Sequence, residues 1–394
     1  MALFWCSPTY LVTMAAIGAA LGWSLKRLLK HRQRFRRQKD ADGTARRQPF
    51  WMGPALAVWA LMTVLYLLEL GFAAFVDTTD AFNATLVSAR WFQRHVDPHR
   101  NSEGFRDARS VPGGRSRQAT RVFFVGDSFT IAQGVNNMQD RFTERTEVLV
   151  NQRAQPDSLP VHVHNFGEFG WEVSVIEAMV QAMLDNGCQP HIIVYVYMLN
   201  DIEGYDPRTE EAIQQIQQSR TPWFLSGHSY FVNWLQFLWQ QKQAQRTVDY
   251  FPHLADSYRE APWTGVTRSL ELMQQSCEQH DVELRMVFFP FLHNLGPDYP
   301  FRHAHQQLAE FCIQHNIRFL DLEPLLSQHA DESLVIHRYD NHPNERCHAL
   351  VATAIANELL NDLPRSATAT PSSDAMSPAS DADGGDDSDS REVD

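Results

Sequence analysis

Four short stretches carry reactive side chains at the boundaries of regular elements, three of them directly after apolar runs. VFFVG (122–126) leads into Asp127, Ser128, Phe129 and Thr130, and VHVHNFG (161–167) leads into Glu168, Phe169 and Gly170. HIIVYVYML (191–199) leads into Asn200 and Asp201, while Tyr339-Asp340-Asn341-His342-Pro343-Asn344 precedes the last helical pattern. These residues bring a hydroxyl (Ser128), an imidazole (His342), a carboxylate (Asp340), a backbone amide beside glycine (Gly170) and a side-chain amide (Asn200). A serine whose proton passes to a histidine is a nucleophile, and positioned amide donors stabilise the oxyanion formed when it attacks a carbonyl. Each residue taken singly has a plainer reading. Ser128, Asp127 or Asn200 would cap a helix, the glycines would make a tight turn, and His342 would be structural. Their coincidence, three at strand ends and one before the last helix, is what points to acyl transfer.

The elements that must position them are legible as alternation. Short apolar runs at 122–126, 161–167, 191–199, 283–290 and 317–322, bounded by turn residues, read as strands buried on both faces. Helical patterns lie between and after them, at about 173–186, 270–280, 303–315 and 345–363. Alternating strands and helices predict an α/β fold with a parallel sheet covered on both faces, in which ligands bind at the carboxyl ends of the strands. All four stretches then share one edge. Residues 206–266 break the alternation and are expected to form a mostly helical insertion, whose stripe Phe231, Trp234, Phe237 and Leu238 has the spacing of a core face.

The ends of the chain are of another kind. Residues 1–25 carry no charged side chain, and 50–76 carry only Glu69, so both predict transmembrane helices. Between them, residues 26–49 hold ten Lys or Arg against Asp40 and Asp42, a positive-inside loop that would leave everything after Val76 outside the cytoplasm. Residues 77–118 suit a connector and 119–363 a catalytic domain; residues 364–394, rich in Ser, Ala and Asp, predict a disordered acidic tail. The formal net charge is −13, which argues against a nucleic-acid partner. Five widely spaced cysteines define no disulfide framework, and the His162/His164, His303/His305 and Cys347-His348 pairs lack zinc-ligand spacing, so no metal or other cofactor is expected.

The order GDSFT, NFGEFG, LND and DNHPN resembles the SGNH (GDSL) hydrolases over about residues 119–363, and NSEGFRD (101–107) resembles the lead-in of membrane-linked bacterial members. The resemblance implies a flavodoxin-like three-layer α/β/α fold with Ser128 as nucleophile and His342 as base. Gly170, Asn200 and the Ser128 amide would form the oxyanion hole. The family places its aspartate three residues before the histidine, a position held here by Tyr339. The orienting role falls instead to Asp340, two residues before, or to a backbone carbonyl serving a Ser-His pair. The implied protein is a membrane-anchored serine esterase acting on an acylated small molecule, lipid or glycan. An O-acyltransferase for extracytoplasmic polysaccharide, working with a separate envelope protein, and an inactive binding module are the competing readings.

Overall fold

The computed structural model describes residues 6–37, 49–111, 113–154, 158–209, 223–244 and 250–363, together with positions 43, 211, 213 and 214. The acidic tail expected from 364, and parts of the basic loop and of the 206–266 insertion, lie outside the described residues.

Five parallel strands form the centre: β1 (Thr120–Gly126), β2 (Val161–Gly167), β3 (Ile192–Met198), β4 (Glu283–Phe289) and β5 (Arg318–Asp321). Their spatial order is β2-β1-β3-β4-β5, the 2-1-3-4-5 order of flavodoxin-like sheets. Every residue of β1 and β3 is buried, which is why both read as continuous apolar and β-branched runs rather than as alternating ones.

Three helices precede the sheet: α1 (Pro8–Arg37), α2 (Met52–Phe75) and α3 (Leu86–His95). The short α4 (Ser128–Ile131) and α5 (Phe142–Arg153) join β1 to β2, and α6 (Val173–Asp185) joins β2 to β3. Between β3 and β4 lie α7 (Tyr230–Ala244), α8 (Tyr250–Ser257) and α9 (Ala261–Gln279), and α10 (Arg302–Gln314) leads to β5. A hairpin of β6 (Val335–His337) and β7 (Asp340–Pro343) then precedes α11 (Glu345–Ala354). Helices α5 and α11 pack together, as do α6 and α9, so the sheet is enclosed between two helical layers. Helix α9 begins nine residues before the expected Leu270, because Pro262 occupies its first turn, where a missing N–H costs nothing.

Helices α1 and α2 are long and apolar enough to cross a membrane. Helix α1 runs through much of the expected basic loop to Arg37, since Lys, Arg and Leu are good helix formers and no glycine or proline intervenes. Residues 77–118 are more than a connector: they contain α3 and bury Trp91, Arg90 and Arg106 completely or nearly so. The Arg90 guanidinium donates to the carbonyls of Ala73 (2.7 Å) and Val76 (2.5 Å), satisfying the C-terminal end of α2. At the other end of this junction the Glu69 carboxylate accepts from Tyr230 N and Phe231 N, both at 3.0 Å, and so caps α7.

Met286, in β4 and without exposed surface, sits in the core next to the Cys312 thiol of α10. Met286→Ala is expected to cost about 2–5 kcal/mol through lost contacts and an unfilled cavity, read from the midpoint of urea unfolding of the detergent-solubilised chain.

Candidate active site

Strand register brings the strand ends side by side. Gly126 pairs with Gly167 on one flank and with Val196 on the other. Ser128 follows β1 by two residues, Gly170 follows β2 by three, and Asn200 follows β3 by two. All three therefore stand at the carboxyl edge of adjacent parallel strands.

At the turn after β1 the cap is Asp127, whose carboxylate accepts from Phe129 N at 2.9 Å. Ser128 is thereby left free of capping duty, and its Oγ lies 2.8 Å from His342 Nε2. The opposite ring nitrogen, Nδ1, lies 2.5 Å from Asp340 Oδ1, and the same carboxylate oxygen accepts from His342 N at 3.1 Å. Residues 214 positions apart in sequence meet here, and the acid two residues before the histidine reaches the imidazole because both lie on β7. This is the hydroxyl–imidazole–carboxylate geometry of a serine nucleophile with an oriented base. The group is enclosed: Ser128 is 7% exposed, His342 6% and Asp340 0%. Burial by itself would raise the Asp340 carboxyl, but the charge and hydrogen bond of His342 and the Thr79 hydroxyl together hold it below its usual range. For His342 the balance is inverted. Burial lowers it, yet the Asp340 charge and hydrogen bond outweigh that and hold the imidazole above its ordinary value.

The turn that presents Ser128 is clamped from three sides. Asn165, the first residue of NFGEFG, donates through Nδ2 to Thr130 O (2.7 Å) and Thr143 Oγ1 (3.1 Å), and accepts from Gly167 N (2.9 Å). Gly167 is required by packing, because a Cβ there would fall 2.2 Å from Ile131 N. Gly170 differs: its φ is +74°, which favours glycine, and open space surrounds the position of a Cβ. Arg106, from NSEGFRD, is fully buried and donates to the carbonyls of Ile131, Ala132, Val135 and Asn136 at 2.9–3.2 Å. Burial, followed by the nearby Arg141 charge, lowers it to about 9. Its neighbour Asp107 accepts from Asn165 N at 2.8 Å. The motif spelled these positions in the sequence, while their clamping role emerges only in three dimensions.

The residue sequence reasoning missed is Thr79. It lies three positions beyond the cap of α2, and its hydroxyl donates to Asp340 Oδ2, the carboxylate oxygen that His342 leaves free. The same segment is stitched to the hairpin elsewhere: Ala81 N donates to Tyr339 O (3.2 Å), and His337 Nε2 lies within 3.1 Å of both Thr78 Oγ1 and Thr79 O. No local signal marks Thr79, since its partner is 261 residues away.

A second acidic group lies behind the nucleophile. Asp201 has no exposed surface, accepts from the Tyr195 hydroxyl (2.7 Å) and Met198 N (3.2 Å), and is held well above the usual carboxylate range by burial and then by the Asp127 charge. Burial likewise pushes Asp127 up to about 6 and Glu203 up to about 7. The histidine pairs set aside as metal ligands are used otherwise: His305 Nδ1 meets Asp321 at 2.7 Å, and His348 Nδ1 accepts from Phe142 N at 3.1 Å. All five cysteines are unpaired.

No protein-family model matches the chain, and no curated protein matches it. Solved structures similar to it include a lipolytic G-D-S-L family member from Veillonella parvula, with 15% identity over 60% of this chain and 96% of that one (TM-score 0.35). The lipase Lip_vut3 from a goat rumen metagenome shares 13% identity over 61% and 98% (TM-score 0.38). A catalytic mutant of an acetylxylan esterase from Geobacillus stearothermophilus shares 14% over 64% and 96% (TM-score 0.37).

Because His342 must be neutral to accept a proton, the acid limb of kcat/KM against pH is expected above the ordinary imidazole value of about 6.5. Asp340→Asn removes the charge that raises His342, so the limb moves to lower pH while kcat falls by about 10⁴-fold. Thr79→Val removes one hydrogen bond to a charged group, an expected loss of about ten- to a hundredfold in kcat/KM, and Thr79→Ser restores it.

Proposed function

We propose that the chain is a membrane-anchored serine esterase of the SGNH type that cleaves an acyl ester through a covalent intermediate. The single observation that carries this reading is the continuous contact from Ser128 Oγ to His342 Nε2 and from His342 Nδ1 to the buried Asp340. His342 takes the Ser128 proton as Oγ bonds to the carbonyl carbon, and the oxyanion is met by the amides of Ser128 and Gly170 and the side chain of Asn200. The imidazolium returns its proton to the departing alcohol, leaving an acyl-serine. Water, deprotonated by the same imidazole, then releases the acid and regenerates Ser128. The open, positive-φ position of Gly170 and the half-buried Asn200 at the same sheet edge support their share of this work.

Placement of the domain outside the cytoplasm is supported by charge. The end of α1 bearing Arg34, Arg36 and Arg37 is remote from the end bearing Tyr10, which hydrogen-bonds Glu69 beside the catalytic domain. By the positive-inside rule the basic end is cytoplasmic. The substrate is then an acylated envelope or extracellular molecule.

Purified full-length protein is expected to hydrolyse short-chain aryl esters and to be labelled by a fluorophosphonate at Ser128. Asn200→Ala should lower kcat by about 100- to 1000-fold. Turnover that survives Ser128→Ala sinks the proposal, and faster acyl transfer to an added glycan than to water would assign the site to an O-acyltransferase instead.

A further inference from the structure

An apolar hollow lies away from the triad, where α1 and α2 meet the catalytic domain. It measures about 660 Å³, with walls that include Met14 and Ile17 of α1, Met62 and Leu65 of α2, and Leu225 of the turn preceding α7. Tyr10, Glu69 and Arg90 line it as well.

Its depth in a bilayer follows from helix rise. Met52 to Leu68 is an uninterrupted uncharged run of α2, and at 1.5 Å per residue it spans about 26 Å, close to the roughly 30 Å of a hydrocarbon core. Glu69 therefore marks the boundary on the catalytic-domain side. Met62 lies seven residues below Glu69, and Ile17 lies seven residues along α1 from Tyr10, whose hydroxyl donates to Glu69 at 2.7 Å. Both are about 10 Å inside that boundary. The hollow thus extends from the interface into one leaflet, where only hydrocarbon is available to fill it.

The turn over it is pinned at the boundary. Ser229 Oγ donates to Glu69 at 2.6 Å, beside the two amides that cap α7. Just before this pin, Trp223, Phe224 and Leu225 are 58%, 81% and 68% exposed, an arrangement that solvates poorly in water and well among lipid chains. At the polar rim, Arg90 is 1% exposed, its two terminal nitrogens are committed to Ala73 O and Val76 O, and its guanidinium lies over the Tyr230 ring at 4.4 Å.

We propose that this hollow binds one acyl chain of a glycerolipid from the leaflet on the catalytic-domain side, with the 223–229 turn inserted as its cover. The site rests on α1 and α2 being membrane spans and is independent of the chemistry at Ser128.

The test uses full-length protein in nanodiscs containing a phospholipid with a photoreactive diazirine in its acyl chain. Crosslinks are expected on residues 62–69 and 225–230 as well as on the outward-facing Val58 and Leu61, which are 60% and 58% exposed. Leu65→Trp, which fills the hollow, should abolish the adducts at 225–230 while those at Val58 and Leu61 and the turnover of a soluble aryl ester persist. Leu225→Ser, which alters the cover without touching the spans, should release lipid that otherwise co-purifies in native mass spectrometry. Adducts at Val58 and Leu61 with none at 225–230, adducts at 225–230 that neither variant changes, or a crosslinked second copy of the chain in place of lipid would each overturn the site. Failure of the protein to float with lipid vesicles would remove both spans and site, whatever its esterase activity.

Discussion

Asp340 is a carboxylate with no exposed surface, and the architecture around the site follows from keeping it charged there. A buried charge is tolerated only where hydrogen bonds and an opposite charge replace the water it loses. Asp340 receives the His342 imidazole and main-chain N–H on one oxygen and the Thr79 hydroxyl on the other. The first two come from β7 itself. The third comes from the chain leaving α2, so the acid is held between the end of the protein and its beginning. With both oxygens engaged, the carboxylate cannot rotate, and it fixes the imidazole with Nε2 toward Ser128.

The Ser128 turn is positioned by a different set of donors and acceptors. A four-residue helix cannot satisfy its own carbonyls, and α4 ends at once in Ala132, whose φ is +62°. Arg106 supplies the missing donors from a position without solvent, and Asn165 holds the same turn from β2. Asp127 takes the cap, and the Ser128 hydroxyl lies 2.8 Å from His342 Nε2 and 3.4 Å from Asp127 Oδ2. Arg106 and Asp107 belong to NSEGFRD, so the segment between α3 and β1 is part of the site's support, not slack chain.

Helix α2 and the Ser128 site are joined by short covalent and packing paths. Thr79 follows Val76 by three residues, so the triad acid's partner lies within about 11 Å of the end of α2 along the chain. Phe72 of α2 packs on Trp234 (ring centroids 6.0 Å apart), and Trp234 packs on Tyr339 (6.3 Å), the residue before Asp340. The stripe Phe231, Trp234, Phe237 is therefore packing between α2 and the hairpin, with Phe237 3% exposed. Glu69 and Arg90 each satisfy a helix end across this junction. These contacts fix the α/β domain against the C-terminal part of α2.

By itself the sequence determined the five strands, because buried parallel strands need unbroken apolar runs whose identity is independent of what lies beside them. It also placed Ser128, Gly170 and Asn200 just beyond the carboxyl ends of three adjacent strands. It left Asp340 ambiguous, since a spacing of two residues matters only once β7 shows that carboxylate and imidazole share a face. It could not distinguish the packing glycine, Gly167, from the open one, Gly170, because both satisfy the same turn composition. Thr79, the clamping role of Arg106 and the hollow beneath the domain were decided by tertiary structure alone. Each depends on contacts between segments far apart along the chain, and such contacts leave no trace in local composition or periodicity.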